Sequence, residues 1–469
     1  ACGTQIGIGW GPGLTRELAR WMVHGAADIS MREFDPRRFG EYAKPEWQVI
    51  KAKEDYCLRH EIPFPHFNRL AGRPIKPSPL YERLKAKGAV YEEVYGHERP
   101  RWFAREGLEQ RDYYSFARPK WFDMVAIETK AVRESAGIMD ISAFSKIEVR
   151  GPDAYAFLDR LTPNRLPQKP GGICLTHLLN RRGRIEAEVT IVRLSQDQFY
   201  LVCAAFFEKR LIDHLTFSTR GEKAEIINRS NEWAALTING PNSRDILATC
   251  TDAALDNASF RWMSAQQITI AGHSMWAFRM SYAGELGWEI HGPREHMLAI
   301  YDALWVTGGK LGLKDYGSFT MNALRMEKGF KGAGELTNEV TLPEAGVMRF
   351  VKMDKDFFGK GQTQESLDKP LPWVCAYLEI EPDGIWDGNG GEAVRLDGKV
   401  VGSTGSVAYC HTLGKILAFA YLKPHAAESG TALEVFMNEQ WRSARVLAEP
   451  AYDPQTLKPR TDVMEAVAE

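Results

Sequence analysis

Between residues 121 and about 369 the chain alternates short stretches of strand spacing and helix spacing. The clearest strand is 185–194, where Ile185, Ala187, Val189 and Ile191 fall on one face and Glu186, Glu188 and Thr190 on the other. Residues 281–290 read as strand, tight turn and strand, with the turn built on Gly284 and Gly287. The same alternation puts Trp288 and Ile290 on one face and Glu289 on the opposite one. Two segments resemble each other: Val149-Arg150-Gly151-Pro152-Asp153-Ala154 and Ile238-Asn239-Gly240-Pro241-Asn242-Ser243. Each reads as strand, Gly-Pro turn and helix, with Asp153 or Asn242 placed as N-cap, which predicts a pseudo-duplicated α+β domain.

The flanks read differently. From Ile6 to Gly13 the chain is dense in glycine (Gly7, Gly9, Gly11, Gly13), which predicts a loop opening onto a helix. In that helix Leu14, Leu18, Trp21 and Met22 follow helical spacing, and Gly25 stands as C-cap. Residues 35–118 are rich in Pro, Arg, Tyr and Trp with weak periodicity, and predict short helices and long loops. From 372 to about 447 only short strands occur, with Asp397-Gly398 and Asn438-Glu439 marking hairpins, so a small antiparallel barrel or sandwich is expected. The tail after Pro450 reads as extended or disordered.

Composition narrows the function classes. A chain of 469 residues predicts roughly three domains. Lys plus Arg number 59 against 61 Asp plus Glu, which supplies no electrostatic reason for nucleic acid or an anionic membrane as partner. Seven scattered cysteines without a C-x-x-C pair argue against a disulfide framework and against a zinc or iron–sulfur site, and predict a reducing compartment. No apolar run nears the roughly 20 residues of a spanning helix, and the start lacks a signal-peptide layout. A cytoplasmic location is expected, or the mitochondrial matrix in a eukaryote.

Two carboxylates could carry chemistry. Glu289, held beside a tight turn, could accept two parallel hydrogen bonds from an amidine-like edge such as that of a pterin; spacing alone favours a solvated Glu beside a core Trp. Glu188 could face a pocket, or Glu186 and Glu188 could both face water, which the pattern alone favours. Arg325 and Glu327, on the helix after Ser318, are by type more often structural charges than a ligand clamp. No P-loop, H-E-x-x-H or G-x-S-x-G occurs, and the opening glycines do not form a G-x-G-x-x-G after a strand.

Tyr282-Ala283-Gly284-Glu285-Leu286-Gly287-Trp288-Glu289 resembles the Y-x-G-E-x-G-x-E motif of the glycine-cleavage T-protein (aminomethyltransferase) family. Gly240-Pro241 with Arg244, Asn322-Ala323-Leu324-Arg325-Met326-Glu327-Lys328, Pro343-Glu344-Ala345-Gly346 and Phe358-Gly359-Lys360 extend the resemblance. Met321 to Lys328 and Trp288 resemble the dimethylglycine and sarcosine dehydrogenase branch more than T-protein itself. Residues 7–25 resemble the last glycine loop and helix of that branch's flavin domain.

The resemblance implies an α+β, T-protein-like folate-binding fold with a C-terminal antiparallel β-barrel, preceded by a remnant of a flavin-dependent oxidoreductase domain. The implied divisions are 1–45 (flavin-domain remnant), 46–117 (oxidoreductase connector), 118–370 (folate domain) and 371–469 (barrel and tail). It further implies transfer of the carbon of an N-methyl amine, oxidised with FAD, onto tetrahydrofolate to give 5,10-methylenetetrahydrofolate. By position Tyr282, Glu289 and Arg325 are implied folate contacts, and Glu188 stands where T-protein has its functional Asp. Glu for Asp reaches one methylene further, and Ala204 stands where T-protein commonly has Asn. Gly7, Gly11 and Gly13 are implied to line the flavin. No metal is implied. The flavin-binding fingerprint would lie upstream of Ala1, so the expectation is that this chain alone does not oxidise an amine and needs a flavin domain in the same or a partner chain. The rivals are a folate-dependent O- or S-demethylase and a non-catalytic folate-binding protein on the same fold.

Overall fold

The computed structural model describes residues 7–25, 27–105 and 107–461. The opening glycines do not form a loop: the helix Gly7–His24 runs through Gly11, Pro12 and Gly13, while Ile6 lies outside the described residues. Glycine weakens a helix by about 1 kcal/mol relative to alanine without forbidding it. Open space surrounds the position a Cβ would take at Gly11 and Gly13, so no close approach demands glycine there. Gly25 does end the helix, with φ of 73° and its N–H donated to the Trp21 carbonyl at 2.8 Å. Leu14, Leu18 and Trp21 are half-buried, whereas Met22 is exposed.

Residues 35–105 hold the helices Pro45–Leu58 and Tyr81–Ala86 and a hairpin that periodicity did not reveal, β1 (Ala89–Val94) with β2 (His97–Phe103). Pro100 and the charged Glu98, Arg99 and Arg101 break the strand pattern, although Trp102 and Phe103 are buried. Eleven strands follow: β3 (Ala136–Asp140), β4 (Ser145–Arg150), β5 (Ile173–Leu179), β6 (Ile185–Arg193), β7 (Gln198–Cys203) and β8 (Glu225–Asn228) come first. Then come β9 (Trp233–Asn239), β10 (Ser264–Ile270), β11 (His273–Arg279), β12 (Gly287–Pro293) and β13 (Leu313–Asp315). They form a six-stranded sheet of order β10-β11-β12-β9-β3-β13 and a five-stranded sheet of order β5-β6-β7-β4-β8.

Both expected strand–turn–helix units are present. Strand β4 leads through Gly151 (φ 135°) into the helix Ala154–Leu161, and β9 through Gly240 (φ 125°) into the helix Ser243–Ala248. A Cβ on Gly240 would lie 2.6 Å from the Ser135 carbonyl oxygen, which excludes any other residue. The capping expectation fails: Asp153 Oδ2 accepts from the Lys223 N–H (2.8 Å) and Asn242 Nδ2 donates to the Leu311 carbonyl (3.0 Å), so both side chains bridge to distant loops.

Each sheet buries one face under helices, around Ile238, Trp288 and Ile290 in one and Ala187, Val189 and Ile191 in the other. The sheets also share a smaller cluster that includes Val192, Tyr200, Ala265 and Phe278. The last strands, β14 (Val374–Ile380), β15 (Ala393–Leu396), β16 (Lys399–Cys410), β17 (Lys415–Leu422), β18 (Ala432–Met437) and β19 (Gln440–Val446), close into an antiparallel barrel. Its hairpins turn at Asp397-Gly398 (φ 49° and 76°) and Asn438-Glu439 (φ 48° and 63°), as their sequences predict. The segment after Pro450 is packed rather than loose, up to Thr461: the Tyr452 ring covers the Arg133 guanidinium at 3.9 Å, and Asp453 pairs with Lys328 at 3.1 Å.

Candidate functional site

Register delivers the first carboxylate. Strands β5 and β6 pair so that His177 stands directly opposite Glu188, and directly opposite residues share a face. His177 is fully buried, with Nε2 3.4 Å from Glu188 Oε1 but not aligned for a hydrogen bond; neither ring nitrogen has a hydrogen-bond partner among the described residues. Its ring lies 5.9 Å from that of Phe350. Glu188 itself keeps 27% side-chain exposure, so the strand pattern's alternative of a pocket-facing or a solvated carboxylate resolves to a half-open position against a buried imidazole.

The second carboxylate comes from the other sheet. Trp288 and Ile290 are fully buried on the helix-covered face, and Glu289, 16% exposed, faces the opposite way, as alternation predicts. Its strand neighbours directly across are Thr237 and Phe278. Val192, two residues on from Thr190 and four from Glu188 on the same face of β6, belongs to the same apolar cluster as Phe278. Glu188 and Glu289 therefore rise from the facing sides of two sheets that meet on one apolar floor. His291, fully buried, holds Glu289 Oε2 through Nε2 at 3.0 Å, and its Nδ1 lies 3.2 Å from Tyr200 Oη. Burial keeps the His291 imidazole below its ordinary pKa range, opposed by its contact with Glu289.

Tyr282 and Arg325 meet beside Gly332, whose Cβ position would lie 3.4 Å from Tyr282 Oη and 3.7 Å from Arg325 Cζ. Tyr282 donates to the Lys331 carbonyl at 2.9 Å and stacks on Phe330 with ring centres 5.8 Å apart. Burial first, then the Glu188 and Glu335 carboxylates, raise its phenol above the ordinary range against the opposing Arg325 charge, so the hydroxyl keeps its proton. Arg325 is buried and mostly committed to the fold: Nε donates to Asn322 Oδ1 (3.0 Å), and Nη1 to the Phe330 carbonyl (3.0 Å) and Glu335 (3.2 Å). Its Nη2 makes no hydrogen bond among the described residues. Glu188 and Arg325 thus both act electrostatically on Tyr282, whereas Gly7, Gly11 and Gly13 lie on the N-terminal helix. That helix meets the rest of the chain at a cavity of about 460 Å³ lined by Trp21, Arg37, Arg182, Glu186 and Arg210 among others. Glu186, two residues before Glu188 on the same face of β6, lines that cavity, whereas Glu188 does not.

Sequence reasoning passed over His177, Tyr200, His291 and Phe330. Alternation alone could have found His291, two residues after Glu289 on one strand. The others needed hairpin register and sheet-to-sheet contact. Among the described residues no cluster of His, Cys, Asp and Glu could hold a metal ion, and no helix is long and apolar enough to cross a membrane. Chemically, the arrangement offers two carboxylates backed by buried imidazoles and a protonated phenol on an aromatic wall, which suits recognition of a flat heterocycle carrying N–H donors.

Comparison with known proteins places the fold in a family. The GCVT N-terminal domain family matches residues 80–355, the glycine cleavage T-protein C-terminal barrel domain residues 375–453, and the FAD dependent oxidoreductase central domain residues 24–78. Mitochondrial dimethylglycine dehydrogenase of Mus musculus is 34% identical over 96% of this chain and 52% of its own length. The 4-methylaminobutanoate oxidase (formaldehyde-forming) of Paenarthrobacter nicotinovorans is 32% identical over 96% of this chain and 55% of its own. The chain thus spans about half the length of these curated relatives. The crystal structure of the glycine cleavage system aminomethyltransferase T from Bartonella henselae shares the fold, with a TM-score of 0.70 at 23% identity over 81% of this chain and 98% of that one. With its two T-protein domains, its oxidoreductase central segment and these relatives, the chain belongs to the GCVT family and is homologous to the dimethylglycine and sarcosine dehydrogenases.

Proposed function

We propose that this chain is the folate-handling half of a flavin-linked N-methyl amine demethylase. The observation that carries the reading is Glu289: a half-buried carboxylate, fixed on Oε2 by His291, with Oε1 free of hydrogen bonds among the described residues. A carboxylate so held suits the paired N–H donors of a pterin edge. Tyr282 and Phe330 would form the wall beside it, with the free Nη2 of Arg325 at its rim. Tetrahydrofolate, when bound, supplies two amine nitrogens able to take up a carbon at the oxidation level of formaldehyde. Glu188 would stabilise the positive charge that accompanies such a transfer and accept the released proton on a carboxylate oxygen, without reorganisation because β6 fixes its backbone. Holding the reactants in one enclosed site raises their effective concentration and limits loss of a reactive carbon to water.

Amine oxidation would belong to a flavin half in the same or a partner polypeptide, with residues 1–45 its remnant and 46–117 a connector. Gly11 and Gly13 lie in a helix with open space around them, not in a glycine loop that could cradle a dinucleotide. The match of residues 24–78 to an oxidoreductase central domain favours this reading over an O- or S-demethylase.

Calorimetric titration of the purified chain with tetrahydrofolate tests the reading. Binding is expected, and Glu289→Ala should weaken it by about 1.5–3 kcal/mol, the range for a hydrogen bond to a charged group. A folded wild-type chain that does not bind, or a Glu289→Ala variant that binds equally well, would refute it. Stoichiometric flavin on the purified chain would refute the assignment of oxidation to another half.

A further inference from the structure

Side chains two apart on a strand share a face, and His291 follows Glu289 at that interval on β12. Its Nε2 is 3.0 Å from Glu289 Oε2, and its Nδ1 is 3.2 Å from the hydroxyl of Tyr200, which comes from β7 of the other sheet. His291 and Tyr200 are 0% and 1% exposed. The three side chains form a continuous line from one sheet to the other, and it ends at the half-open Glu289.

Valence settles where the protons sit. The Glu289 carboxylate can only accept, so Nε2 carries the hydrogen and donates. A neutral imidazole has one N–H, so Nδ1 accepts and the Tyr200 hydroxyl donates to it. The surroundings support this state. The charged groups acting on His291 are Glu289, which favours its protonation, and Lys146, which opposes it; burial outweighs both and favours the neutral ring. Burial, then the Glu289 charge, raises the Tyr200 phenol well above its ordinary value, so its proton stays.

We propose that Tyr200 and His291 are positioning residues of the pterin subsite, pinning Glu289 Oε2 from behind so that both carboxylate oxygens present one fixed edge to a ligand's paired N–H groups. The inference rests on the folate reading above. Without the pin, the carboxylate would have to lose its rotational freedom on binding. Without Tyr200, the ring could take the other tautomer and leave Glu289 Oε2 without its donor.

The test compares tetrahydrofolate binding by the whole chain in wild type, His291→Gln, His291→Met and Tyr200→Phe, with thermal melts as folding control. Gln can keep an N–H near the Nε2 position, whereas Met fills the volume without a donor. His291→Met should weaken binding by about tenfold or more, as expected for one lost charge-assisted hydrogen bond. His291→Gln should stay within about threefold, and Tyr200→Phe should fall between them. Equal losses for Met and Gln would mean that His291 only fills space, and would overturn the inference. A second readout needs no ligand: in chain labelled with ¹⁵N-histidine, the resonance lost in His291→Gln should report the Nε2–H tautomer and not titrate between about pH 6 and 8. The Nδ1–H tautomer, or titration in that window, would also overturn it. A wild-type chain that binds no tetrahydrofolate sinks the folate reading and this inference together. Binding weakened by Glu289→Ala but not by His291→Met sinks the inference alone.

Discussion

At Glu188 the informative partner is a residue that the linear pattern does not connect to it. His177 becomes its neighbour only through the β5–β6 register, and its two ring nitrogens are buried without hydrogen bonds among the described residues. An orphaned buried polar group costs about 1–3 kcal/mol. His177→Leu, close in volume, is therefore expected to leave stability unchanged or raise it in urea melts, while disturbing Glu188 and lowering the proposed one-carbon transfer. A loss of more than about 1 kcal/mol would show that the imidazole has a partner in solution. Glu128 supplies a pH dependence. Burial raises its carboxyl to about 7 from 4.5, against the opposing Thr320 hydroxyl, the Arg105 charge and the Gly317 and Phe103 N–H groups. A folded-state pKa above the unfolded value gives stability that is fully present below about 4.5 and is lost as pH rises through about 7. The change is at most about 3 kcal/mol at 1.36 kcal/mol per unit. Urea melts at pH 4.5 and 8 should show this decline in wild type, and Glu128→Gln should lose that part of the slope.

The turn between β11 and β12 shows how one element sets the site. Gly284 has φ of 83°, and a Cβ there would lie 2.3 Å from Lys328 Cγ. Lys328 cannot swing away freely, because it is 1% exposed and paired with Asp453. Gly284→Ala should therefore destabilise by more than the roughly 1 kcal/mol of a positive-φ penalty, and shift Glu289 enough to weaken folate binding. A variant with wild-type melting temperature and affinity would count against this account of the turn. Strand faces, the two Gly-Pro turns and the barrel hairpins were legible because each depends on neighbours in sequence. The β1–β2 hairpin was not, since Pro100 and its charged neighbours break the strand pattern and β2 is buried on consecutive residues, Trp102 and Phe103 among them, without a period of two. Nor was the helical state of the opening glycines, where local propensity and conformation part company.

Across the whole molecule, the T-protein-like domain, barrel and tail are tied at one buried charge cluster. Arg133 donates to Glu327 (2.6 Å), Glu285 (2.8 Å) and the Ala283 carbonyl (2.8 Å), and Glu327 also accepts the N–H of Thr412 from the barrel at 3.0 Å. Tyr452 closes the cluster from the tail by donating to Glu285. Removing one member of a buried pair strands the other's charge, so Arg133→Leu should cost about 3–5 kcal/mol or prevent folding. Equilibrium denaturation showing a loss under about 1 kcal/mol would mean that the carboxylates find water instead.

The amino-acid order by itself determined the faces of β6 and β12, the strand–turn–helix units, the hairpin turns and the family motif around Tyr282 to Glu289. All of these rest on periodicity of two, positive-φ residues or contiguous motifs, which act over a few residues. Only the tertiary structure decided that Glu188 faces His177, that Tyr200 reaches His291 from another sheet, that Arg325 is mostly held by Phe330 and Glu335, and that the tail covers Arg133. Each of those facts joins residues distant in sequence, and such pairs are fixed by register and by the packing of one sheet on another, which no local pattern encodes.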